Sequence, residues 1–208
     1  MVAGVFETHD GLLTATRLPA LARAEGRISA AEIAALLLAG ATAAVATGFV
    51  RLGLGIPGHA IVLAVLPMAL GLALVPRRLA GVIMGGGALG TAGVLSAAGL
   101  THYGVGAMTS LCLTGAMMDV ALLGAGSGWP VYARLVGAGL AANMLAFMQR
   151  GAGKLLALDQ PGTRLFDVWV SQAMITYTLS GAVAGLLGAL CWFRFQSRPA
   201  LPSGEPAR

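Results

Sequence analysis

Asn143, Phe147 and Arg150 fall along one face of a helix with Gln149 beside them, and Trp169, Gln172, Thr176 and Ser180 recur at helical spacing further on. His59 and the pair His102-Tyr103 stand at the ends of other apolar runs. Polar side chains are uncommon inside membrane-spanning helices, where they face a cavity or a neighbouring helix. Amide, hydroxyl, imidazole and guanidinium groups that converge near one membrane face build a pocket for a small ligand. Each residue alone also has a plainer role. Gln172 and Thr176 can bond an adjacent helix, Trp169 can anchor at the lipid interface, and His102 can be a solvated loop residue.

Catalytic chemistry finds no support. There are no paired carboxylates, no Ser/His arrangement and no His-x-x-x-His spacing. Gly85, Gly87 and Gly90 match G-x-G-x-x-G, but they sit in apolar helical sequence with no strand ahead, and Gly153-Lys154 lacks the Ser/Thr of a phosphate-binding loop. His59 and His102, with Met108 or His9, would suit a transition metal. Two imidazoles with no third ligand nearby do not make a metal site, so no metal or other cofactor is expected. Cys112 and Cys191 lie in apolar stretches and read as buried bulk. Asp119, well inside an apolar segment, is expected to form a structural ion pair with Arg134 at similar depth.

The elements that position these residues follow from composition. Of 208 residues 57% are apolar and 10% are charged, so the chain lacks the polar material to cover a soluble surface. The net charge of +5 comes from basic residues that punctuate apolar stretches instead of forming a patch, which argues against nucleic acid. Six segments are long and apolar enough to span a bilayer: 30–50, 57–76, 79–100, 105–125, 130–149 and 169–193. Ser29-Ala30-Ala31-Glu32 is a capping box that starts the first, Pro57 opens the second, and Pro76-Arg77-Arg78 ends it. Pro67 predicts a kink within it.

The expected fold class is an all-α, polytopic membrane protein with six transmembrane helices. With both termini in the cytoplasm, nine of the 13 basic residues lie inside, leaving Arg51, Arg150, Lys154 and Arg164 outside. Residues 1–28 form a cytoplasmic arm or surface amphipathic helix, 29–195 the transmembrane domain and 196–208 a disordered tail. No cleavable signal peptide is evident in 1–28.

Ala31, Ala35, Ala39 and Ala43 recur every four residues in the first segment, a small-residue face suited to close helix contact with another protein. This row, the six-helix layout and the run IPGHAIVLAVLPMALGLALVPRRLAGVIMGGGALG from Ile56 to Gly90 resemble the substrate-binding (S) component of energy-coupling factor transporters. The resemblance covers about residues 29–193. It implies a prokaryotic cell-membrane protein that captures a vitamin-like molecule, or less readily a metal ion, without ATPase activity of its own. It implies docking through the alanine row onto a transmembrane coupling subunit driven by two ABC-type ATPases. It places substrate near the outer face, closed by the 51–58 connection, with His59, His102, Tyr103, Asn143, Phe147, Gln149, Arg150, Trp169, Gln172 and Thr176 in range. Metal-specific members carry histidine as their second residue, where this chain has Val2, so an organic substrate is expected. The alternative is a non-catalytic helical subunit that holds a larger membrane assembly together.

Overall fold

The computed structural model describes residues 6–22, 27–50, 58–156 and 166–195. Among the described residues there are seven helices: α1 (Asp10–Ala15), α2 (Ala30–Phe49), α3 (Ile61–Leu74), α4 (Ala80–Ala97), α5 (Val105–Leu122), α6 (Trp129–Leu155) and α7 (Phe166–Trp192). No strand is named among the described residues, where two isolated bridges, Thr8 with Arg77 and Thr16 with Phe193, tie the arm down. The expected 196–208 tail and all but Gly58 of the 51–58 connection lie outside the described residues.

Among the described residues five helices are long and apolar enough to cross a membrane: α2, α4, α5, α6 and, from Trp169, α7. Their outward surfaces carry large apolar side chains, with Leu38 68%, Val120 62% and Leu179 60% exposed. Water would not tolerate so continuous an apolar surface on a monomer, whereas lipid does. α3 differs from the expected 57–76 span. Its helix has 14 residues, about 21 Å at 1.5 Å per residue. It is apolar all round, as a helix surrounded by others must be. Val65, Met68, Ala69 and Leu72 are wholly buried, and α3 packs against α2 and α7 while reaching α5 across the bundle. α2, α4, α5, α6 and α7 follow one another around it, each against the next. Pro67 is accommodated inside α3, and the Trp192 indole donates to the neighbouring Leu66 carbonyl at 3.0 Å.

Glycine sets how closely these helices approach. A Cβ on Gly81 would collide with the Gly115 carbonyl, and the reverse, where α4 crosses α5. Gly139, Gly181 and Gly185 bring the α6 and α7 backbones together in the same way. Lipid provides no hydrophobic drive between helices, so this contact holds them.

The arm is strapped across one end of the bundle. The His9 amide donates to Pro76, Leu21 to Leu74, Arg17 to Trp192, and Arg194 to Ala15, all at 2.7–2.9 Å. Leu12 and Ala15 of α1 are buried against the bundle core. Residues close to the two ends of the chain therefore meet at one end of the bundle. The Ser29–Glu32 capping box is present at the start of α2, and Glu32 also accepts from Arg77 Nε at 2.8 Å. Both side chains are almost fully buried, and Arg77 Nη1 donates to the Phe6 carbonyl at 2.8 Å, linking α2, the α3–α4 turn and the arm.

His9 lies in that strap, and burial, with help from Arg78, pushes its pKa below the ordinary 6.5. The imidazole is thus held neutral in the docked arm but takes a proton more readily when released. Docking is strongest above pH 6.5 and weakens as pH falls through that value, because the released state then binds more protons. Amide exchange of residues 9–16 should accelerate between pH 7 and 5 relative to the core of α3, and His9→Asn should flatten that difference.

Candidate functional site

At the end opposite the arm, the short α3 leaves a cavity of about 670 Å³ above its first turn. Its floor is Gly58 to Ile61, and one wall is the start of α5, from Gly104 to Ala107, with Ser110 one turn deeper. α6 supplies Asn143, Ala146, Gln149 and Arg150, and α7 contributes Tyr177. Gly58 holds φ +83°, a conformation that glycine tolerates, and a Cβ there would press into the Tyr177 ring.

Asn143 organises the floor. It is 2% exposed, and its Nδ2 donates to the Tyr177 carbonyl at 2.7 Å and to the Gly58 carbonyl at 3.3 Å. One side chain thereby joins α6, α7 and the residues that lead into α3. Gln149 Oε1, nearer the mouth, accepts from the Thr109 hydroxyl at 2.9 Å. Arg150 is exposed at the mouth. Behind Tyr177, Phe147 stacks on Trp169 with ring centroids 5.7 Å apart and lies 5.6 Å from the Tyr177 ring, while Lys154 Nζ sits 5.4 Å above Trp169. These aromatic rings form a small cluster with Ala146 and Ala173 that fixes the α6–α7 wall.

His59, Asn143, Gln149 and Arg150 thus come together around the cavity. Phe147 and Trp169 support it from behind. Gln172 is exposed, and the half-buried Thr176 spends its hydroxyl on the Gln172 and Ala173 carbonyls of its own helix. The face of α7 that turns inward is Trp169, Ala173 and Tyr177. Tyr177 was not among the expected residues. Its sequence signal was an aromatic ring with a polar tip four residues beyond a small residue on the Trp169 face. His102 is exposed in the α4–α5 connection. Tyr103 is turned toward α2, where its hydroxyl donates to the Ala44 carbonyl at 2.7 Å, and burial raises its pKa above 10.

Asp119 and Arg134 do not pair. Asp119 accepts from the Gly81 and Val82 amides at 2.9 and 2.8 Å. The N-cap residue of α4 is Leu79, which has no side-chain acceptor, so a carboxylate from α5 satisfies the orphan amides. Arg134 donates to the Ala121 and Leu123 carbonyls, serving the end of α5 in the complementary way. Each caps a helix terminus, and that removes the reason for them to meet.

The alanine row lies differently from a docking face. Ala39 and Ala43 are buried within the bundle, Ala35 is half-buried and Ala31 is exposed. Beside them, Gly40 abuts the Met84 backbone, so the small residues of α2 seat α4. Among the described residues no group of three or more His, Cys, Asp or Glu side chains is placed to hold a metal ion. No protein-family model matches this chain, and no curated protein or solved structure does either.

Proposed function

We propose that this chain is a multi-pass protein of a prokaryotic cell membrane that captures a small organic molecule for uptake. The observation that carries the reading is the cavity at the end of the bundle opposite the arm, floored by the buried Asn143. A pocket of a few hundred cubic ångströms, mostly apolar with a few placed polar groups, is what small-ligand recognition requires. On this reading α3 completes six crossings, both termini are cytoplasmic and the cavity opens outward. The meeting of the arm with the end of α7 supports an even number of crossings. The balance of basic residues supports the orientation.

The chain acts without catalysis and depends on separate machinery for energy, a coupling permease with ABC-type ATPases. Docking uses the start of α2, where Ala31 and Ala35 remain reachable. One observation favours the second reading, a structural subunit of a larger membrane assembly. Gly86, Gly90 and Gly93 form an exposed row on α4, where an added Cβ would meet no atom of another element within 4 Å.

Ala107→Trp tests capture, because it fills the cavity from its α5 wall without removing a hydrogen bond. Wild-type protein purified in nanodiscs should release a small molecule on solvent extraction, and the variant should release at least tenfold less. Equal yields from both proteins, or none from the wild type, contradict capture.

A further inference from the structure

We infer that the captured molecule is an elongated organic carboxylate, with an N–H or O–H donor at its inner end and the acid group at the mouth. The inference deepens the capture reading and rests on it.

The inner end is set by Asn143. Its Nδ2 is committed to the Gly58 and Tyr177 carbonyls. Its Oδ1, which can only accept, has no partner among the described residues. A donor seated at the floor would satisfy that lone pair, whereas an acceptor there would face it unpaired. Ser110 and Tyr177 are also lining residues, and a hydroxyl can donate or accept, so neither excludes a donor.

The outer end is set by Arg150. It lies seven residues beyond Asn143 on α6, two turns along and back on the same face, a separation of about 10 Å. Among the described lining residues it carries the permanent charge, and none is a carboxylate. Its planar fork matches a carboxylate in two parallel hydrogen bonds. A single guanidinium balances a monoanion, whereas a phosphate dianion would retain excess charge. Between the two ends, Ile61, Ala107 and Ala146 line an apolar stretch.

The probe is an aqueous small-molecule extract of the expressing cells, dialysed against protein in nanodiscs and read by mass spectrometry. It is used untreated, after methyl esterification and after phosphatase digestion. Wild type should retain a species at least tenfold above Ala107→Trp. That species should disappear after esterification, survive phosphatase, and show by deuterium exchange at least one labile hydrogen besides the acid proton. Arg150→Gln, a change at an exposed position, should retain it at least tenfold less. A retained cation, a species that survives esterification, one removed by phosphatase, or one with no further labile hydrogen overturns the assignment while leaving capture intact. Retention equal in wild type and Ala107→Trp overturns capture itself.

Discussion

Gly181→Leu should unfold the cavity wall, with a loss of about 3 kcal/mol or more, at or beyond the upper end of what overpacking costs. At this point α6 and α7 approach backbone to backbone, and a side chain on Gly181 would meet the Gly139 carbonyl and the Leu140 and Asn143 positions of the facing helix. Relief requires α7 to move away, and that movement pulls the Tyr177 carbonyl from Asn143. Unfolding in mixed micelles reads the loss directly. Gly93→Leu provides the comparison, since that glycine faces open space on α4 and should shift stability by less than about 0.5 kcal/mol. Equal effects from the two substitutions would mean that the seam does not hold the bundle.

The second large effect concerns Arg77 and Glu32. Arg77→Met strands a carboxylate that is 1% exposed and leaves the Phe6 carbonyl without its donor. Removing one member of a buried pair costs about 3–5 kcal/mol. Glu32→Gln combined with Arg77→Met should recover part of that loss, because the uncompensated charge disappears while the Gln side chain still bonds the Ser29 amide. The arm should loosen in Arg77→Met even where the bundle survives, seen as faster proteolysis within residues 6–22. A cycle in which the two substitutions add independently would contradict the pairing.

Much of the architecture is legible in composition and punctuation. The Ser29–Glu32 box marks the start of α2 because capping is local chemistry, and Pro76-Arg77-Arg78 marks the end of α3 for the same reason. Hydrophobic length is a weaker guide. The 57–76 segment is apolar throughout, yet its helix runs from Ile61 to Leu74, because a helix surrounded by others needs no match to bilayer thickness. Small-residue spacing in α2 identifies a contact face but not its occupant, and α4 occupies it. The Glu32–Arg77 pair spans 45 residues and has no local signature. Periodicity chose Thr176 where the lining uses Tyr177, since one residue turns a helix by about 100°. Asp119 and Arg134 look like partners by depth. What decided their contacts was the unsatisfied backbone at two helix ends, which side-chain spacing does not display.

Side-specific thiol labelling tests most directly whether the cavity opens outward. In a variant lacking Cys112 and Cys191, Ser110→Cys lies on the cavity lining and Gly126→Cys in the α5–α6 turn at the arm end. A membrane-impermeant maleimide applied to intact cells should modify Ser110→Cys and should reach Gly126→Cys only after permeabilisation. Labelling of Gly126→Cys in intact cells, with Ser110→Cys protected until the membrane is breached, would turn the cavity toward the cytoplasm and contradict capture from outside.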